Sequence, residues 1–180
     1  LYALGIENLS IDIALPTLVP ALIRDLKLDN QTSENLRAAL DRKDETKLVR
    51  LASDLGKDAT HQLTALLRAT GPADMALTAI SKLNLPLVAV DECTALESVI
   101  HDIRSAAPKL NLTVDLVESR GLKYHTGVTF TVFAENIRGE LGRGGRYLVE
   151  SKGTEKSEPA TGITLFMDSV LRAIPSTLEE

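Results

Sequence analysis

The sequence predicts an α+β fold, a block of short helices followed by a connected antiparallel sheet, and three observations carry that reading. Apolar residues recur at helical spacing from residue 33 to residue 83. From residue 112 onward they alternate with polar ones, as in Leu112, Val114 and Leu116 and again in Val128, Phe130 and Val132. The two periods occupy separate stretches instead of alternating unit by unit, which is the pattern of segregated α+β architecture with flanking helices.

Taken along the chain, Leu9, Ile11 and Ile13 alternate with Ser10 and Asp12, the period of a half-buried strand. Pro16 and Pro20 follow. Proline fits only the first turn of a helix, so a helix is expected to begin between Thr17 and Pro20 and to run to about Leu28. Four short helices are expected between 33 and 83. They carry Leu36 and Leu40; Leu48, Leu51 and Leu55; Leu63, Leu66 and Leu67; and Leu77, Ile80 and Leu83, with Gly56 and Gly71-Pro72 as punctuation. This block has no signature of its own and reads as packing or partner surface, with few contacts to the sheet. After "LPLVAV" a helix bears Leu96, Val99, Ile100 and Ile103 on one face. Thr94 and Glu97 have the spacing of a capping box at its start. Two strands then flank the connection "SRGLKYHTG", and a further strand is expected over 144–149. The polar "ESKGTEKSEP" reads as a loop, "ATGITLF" as the last strand and "MDSVLRAI" as the last helix.

Composition bounds the function. The chain has 180 residues, 44% hydrophobic and 25% charged, which suits one globular domain. A net charge of -5 offers no basic surface for non-specific phosphate binding, so no nucleic acid partner is expected. The single cysteine, Cys93, cannot close an internal disulfide and is expected to be a buried apolar residue. No apolar run approaches the roughly 20 residues that cross a bilayer, so a cytoplasmic protein with no membrane partner is expected. The chain opens on "LYALGIENLSIDIAL", with neither an initiator Met nor a signal peptide, and is expected to begin inside a longer protein.

The glycine-rich "GELGRGGR" satisfies neither the phosphate-loop spacing nor the dinucleotide fingerprint, and reads as tight turns feeding a sheet edge. His61, His101 and His125 lack the paired spacing of metal ligands. Neither cofactor nor metal is therefore expected. Arg120 with Tyr124 and His125 is more informative, because it places a fixed cation and polar ring edges at the end of a sheet.

"RGLKYHTGVTF" is similar to the histidine-specific signature of histidyl-tRNA synthetases, Arg-Gly-Leu-Asp-Tyr-Tyr-Thr-Gly before an aliphatic strand, and "GGRY" at 144–147 resembles their second signature. The resemblance implies a class II aminoacyl-tRNA synthetase-like antiparallel sheet. It implies a histidine-like ligand pocket formed by Arg120, Tyr124, His125 and Tyr147, with Arg120 facing the carboxylate and the rings facing the imidazole. Here His125 stands where the family has its second tyrosine, Lys123 where it has aspartate, and Leu148 where the second signature ends in aspartate. The family's last signature, Gly-Phe-Ala-Met-Gly-Leu-Glu-Arg, carries an arginine that clamps ATP. In "GITLFMDSV" Gly162 matches, but Phe166 replaces the second glycine, Asp168 the glutamate and Ser169 the arginine. Losing that guanidinium removes charge-assisted bonds to ATP.

A synthetase scaffold without its ATP clamp resembles the regulatory subunit of ATP phosphoribosyltransferase, whose members carry a comparable helical insertion. That resemblance implies a non-catalytic subunit. It would assemble with the short-form catalytic subunit as a hetero-oligomer in histidine biosynthesis, with histidine as a candidate ligand. A divergent histidyl-tRNA synthetase and a stand-alone histidine-binding module are the alternatives. Residues 1–180 are expected to form part of one synthetase-like domain, with a helical insertion over about 33–83 and the sheet and signatures over about 110–174. The family's N-terminal motifs and its anticodon domain are expected to be absent from this stretch.

Overall fold

The structure, a computed structural model, describes residues 1–118, 125–150 and 157–175. Strand β1 (Leu9–Ala14) leads through Pro16 into helix α1 (Leu18–Ile23), which passes into a single 3-10 turn at Arg24–Leu26. Pro20 lies in the first turn of α1, where its missing N–H has no partner to lose. Five helices follow where four are expected: α2 (Asn30–Asp41), α3 (Glu45–Arg50), α4 (Ala52–Leu55), α5 (Lys57–Arg68) and α6 (Ala73–Ile80). The extra one arises because the leucine series 48, 51 and 55 is broken at Leu51, splitting one expected helix into α3 and α4.

Local chemistry sets the helix ends. Asp29 caps α2 by accepting from the Thr32 N–H at 2.6 Å, so this helix begins before Ser33. Asp44 caps α3 in the same way through the Lys47 N–H at 2.9 Å. Gly56, at φ 82, takes the left-handed backbone between α4 and α5. Gly71-Pro72 is more than punctuation, since it forms a two-residue strand, β2 (Gly71–Pro72).

Helix α7 (Leu87–Ala106) corrects the sequence reading at its start. It begins seven residues before Thr94, so Thr94 is not a cap; its hydroxyl donates to the Val90 carbonyl at 3.0 Å inside the helix. The remaining elements are β3 (Asn111–Asp115), β4 (His125–Ala134), β5 (Gly142–Glu150), β6 (Ser157–Leu165) and α8 (Met167–Ala173).

The six strands form one sheet in the order β2-β3-β1-β4-β5-β6. Every pairing is antiparallel except β1 with β3, which is parallel. This parallel pair departs from the wholly antiparallel expectation, and the helical block supplies the long crossover it needs. In the β1–β4 register Ile11 lies opposite Val132 and Ile13 opposite Phe130, while Asp12 faces Thr131 and Ala14 faces Thr129. The apolar set turns to the helices and the polar set to the opposite side.

Nor is the helical block a loosely attached surface. Leu36, Leu40, Leu48, Leu63 and Leu66 share one buried cluster with Ile13 and Val114 of the sheet and with Leu96 and Ile100 of α7. A second cluster joins Val170 and Ala173 of α8 to Leu9, Val132 and Ala134. Among the described residues no helix is long and apolar enough to cross a membrane. Leu66, 0% exposed, is a test of the shared core. Leu66→Ala is expected to lower unfolding free energy by about 2–5 kcal/mol. Helix and sheet signals should still disappear in one urea transition, and an earlier loss of the helical signal alone would show the block to be independent.

Candidate functional site

Helices cover one face of the sheet, and the other face carries a groove of about 780 Å³. The strand register orders its floor in rows. Asp12, Thr131, Arg143 and Thr164 stand side by side across β1, β4, β5 and β6. Ala14, Thr129, Gly145 and Gly162 form the next row. His125 then pairs with Tyr147, and the register of β4 against β5 shifts between His125 and Thr129.

Glycine makes the floor flat. A Cβ on Gly145 would stand 2.7 Å from Cδ2 of His125 and 2.8 Å from Cγ2 of Thr129. On Gly144 it would stand 2.1 Å from the Gly162 carbonyl oxygen, and on Gly142 2.6 Å from that of Thr164. On Gly162 it would meet the Tyr147 hydroxyl at 3.2 Å. Gly142, Gly144 and Gly145 therefore lie in β5, a strand paired on both sides: the strand expected over 144–149 begins two residues earlier, and the cluster does not form turns at a sheet edge. They are small because rings and carbonyls lie where their side chains would be.

Of the four residues that the sequence singles out, the structure places two. His125 opens β4, Tyr147 lies opposite it on β5, and both line the groove. Arg120 and Tyr124 lie outside the described residues. Burial pushes the His125 imidazole below its ordinary value of 6.5, so the ring is neutral at pH 7, with one nitrogen a donor and the other an acceptor.

The groove also contains residues that sequence reasoning missed. The Arg143 guanidinium carbon stands 5.7 Å from the centroid of the Phe166 ring, a cation–π arrangement. Both side chains line the groove, so the end that Phe166 occupies is filled by an aromatic ring under a cation. Ser169, at the position of the family's ATP-clamping arginine, is buried. Arg172 lies three residues further along α8. Its Nη2 donates to the Ser169 hydroxyl and its Nε to the Asp168 carbonyl, both at 3.2 Å, folding the guanidinium back on α8.

Asp12 is the other missed residue. It accepts from the Thr113 hydroxyl at 2.6 Å and lines the groove. Burial raises its carboxyl above the ordinary 3.8; the Thr113 bond opposes that, Asp115 and Glu118 add to it, and Lys43 offsets part. The alternation Ser10-Asp12-Ala14 marks the polar face of β1 in the sequence, but nothing there tells that this face is a groove. Because the folded state holds the Asp12 proton more tightly, stability falls as pH rises from 3.8 through the raised value and stays lower above it. Asp12→Asn keeps an acceptor for Thr113 and is expected to raise the thermal midpoint at pH 7. The gain should vanish below about pH 3.8, where the wild-type carboxyl is protonated too. Melting curves across that range check it, and a gain independent of pH would contradict it.

Residues 1–170 match the family model of histidyl-tRNA synthetase. The chain is 48% identical over 172 residues to an ATP phosphoribosyltransferase regulatory subunit from Paramagnetospirillum magneticum, covering 96% of this chain and 43% of that protein. The chain thus spans less than half the length of that relative. Its fold superposes with a TM-score of 0.74 on an ATP phosphoribosyltransferase regulatory subunit/histidyl-tRNA synthetase from Bacillus halodurans, at 21% identity over 97% of this chain and 47% of that one. With a chain of the ATP phosphoribosyl transferase (HisG:HisZ) complex from Thermotoga maritima the TM-score is 0.67, at 15% identity over 88% of this chain and 53% of that one. These superpositions show the class II synthetase-like fold.

Proposed function

The chain belongs to the histidyl-tRNA synthetase family, and on that premise we propose that it is part of a non-catalytic regulatory subunit of ATP phosphoribosyltransferase. The observation that carries this reading is the 48% identity to a protein of that name across 96% of the chain. The groove supports it. Phe166 and Ser169 stand where the synthetases place a glycine and an ATP-clamping arginine, and Arg172 is turned back on its own helix. An ATP-dependent activation of histidine at this groove would lack the guanidinium that clamps ATP in the synthetases.

In this reading the open face retains an amino-acid pocket and loses the nucleotide chemistry. Tyr147 and the neutral His125 present polar ring edges to an imidazole, and Arg120 supplies the cation for a carboxylate. The protein would work beside the short-form catalytic subunit in the cytoplasm, as a hetero-oligomer in histidine biosynthesis. Its influence would come from binding the active and inactive states of that partner with different free energies. The domain organisation follows the same reading: the described sheet and helices are one part of a catalytic-like domain, with the helical block as an insertion built into its core.

The test uses the full-length protein. It is expected to copurify with a short-form ATP phosphoribosyltransferase and to raise its turnover, while charging of histidine tRNA stays at the no-enzyme level. Charging above that level would establish the synthetase reading instead. A soluble full-length protein that neither binds nor activates the catalytic subunit would end the regulatory one.

A further inference from the structure

A half-exposed ion pair, its carboxylate covered and its ammonium open to solvent, joins the helical block to the end of β3 beside the groove, through residues that no motif singles out. Asp115 closes β3 and is 7% exposed, and its carboxylate takes an ion pair from the Lys43 ammonium. Lys43 comes from the turn between α2 and α3, distant in sequence. That turn is rigidly made. Lys43 adopts the left-handed backbone at φ 53, its N–H donates to the Leu40 carbonyl at 3.0 Å, and the Asp44 N–H donates to Ala39 at 2.8 Å. Asp44 then caps α3.

The other oxygen of Asp115 works on the opposite side. Oδ1 accepts from the Val117 N–H at 3.1 Å, with the Thr70 hydroxyl at 3.4 Å, so one carboxylate ties together the α2–α3 turn, the residue before β2 and the chain leaving β3. Val117 is buried, and its neighbour Glu118 lines the groove. Asp12, which also lines the groove, is bonded to Thr113 of the same strand and lies in the field of both Asp115 and Lys43.

We propose that Lys43 is a positioning residue, a latch by which the helical block holds the end of β3 and so the Glu118 wall of the groove. The proposal stands on this geometry and does not depend on which ligand the groove takes. A covered carboxylate bonded to a backbone N–H needs its cation, so displacing the α2–α3 turn loosens the Val117 bond first and the outer strands not at all. The helical block thereby gains a direct route to the groove, where a surface insertion would have none.

Hydrogen exchange in the full-length protein tests it, comparing wild type, Lys43→Met and the double variant Lys43→Met with Asp115→Asn. The double variant buries no unpaired charge, keeps an acceptor for Val117, and folds whether or not the latch exists. Its peptides containing Leu116, Val117 and Glu118 are expected to exchange about tenfold faster than wild type, the scale of one lost charge-assisted bond, while β5 and β6 peptides match wild type. Lys43→Met alone should exceed the double variant at the same peptides, because Asp115 then stays charged and unpaired. Wild-type exchange at 116–118 in the double variant overturns the proposal. So does an equal rise in every strand, which would mark Lys43 as a general stabiliser without a positioning role.

Discussion

The sheet must bury one face and leave the other open, and the rest of the structure depends on that one-sidedness. Strand side chains alternate, so a single residue of slip between β1 and β4 would carry Asp12 and Thr131 toward the helical core and Ile11 and Ile13 toward the groove. The cost of burying an unpaired carboxylate there is what holds the register. With the register held, the leucines of the helical block share one buried cluster with Ile13 and Val114, and the polar members of β1, β4 and β5 line up across the groove floor.

Under the proposed function, the open face is a binding surface without nucleotide chemistry. Its floor is built of glycine because the carbonyls of Gly162 and Thr164 and the rings of His125 and Tyr147 stand where Cβ atoms would be. At one end of the groove Phe166 lies under the Arg143 guanidinium, and on α8 the buried Ser169 hydroxyl accepts from Arg172. Binding and chemistry are separable on such a floor, since the first needs shape and a few polar edges while the second needs charge aimed at the reacting atoms.

Much of this was legible in the sequence, and the parts that were not share a cause. The alternation of β1 and β4, the proline before α1 and the leucine spacing of the helical block are local signals, and each appears close to where it is expected. Pairings that join distant residues leave no such trace. The parallel match of β1 with β3, the Lys43–Asp115 ion pair and the two-residue strand at Gly71-Pro72 exist only after the chain has folded back on itself. Thr94 misled for a related reason: its spacing to Glu97 fits a cap, but the apolar run before it was already helical. In β5 the strand was expected, but the glycine cluster was read as turns feeding it, because the requirement for glycine lies on β4 and β6. For the candidate site, His125 and Tyr147 were singled out through motif words, whereas Asp12 lies in no motif, Arg143 was passed over inside a glycine-rich word, and both come to notice only through the register.

The central claim is that the groove reads an amino acid and no longer handles ATP. Calorimetric titration of the full-length protein with L-histidine and, separately, with ATP tests it most directly, in wild type and in Arg120→Ala. The account predicts saturable histidine binding and no ATP binding in wild type. Arg120→Ala should weaken histidine by about ten- to a hundredfold, the loss of one charge-assisted bond, with the thermal midpoint unchanged. Saturable ATP binding, or wild-type histidine affinity in Arg120→Ala alongside a lowered midpoint, would contradict it.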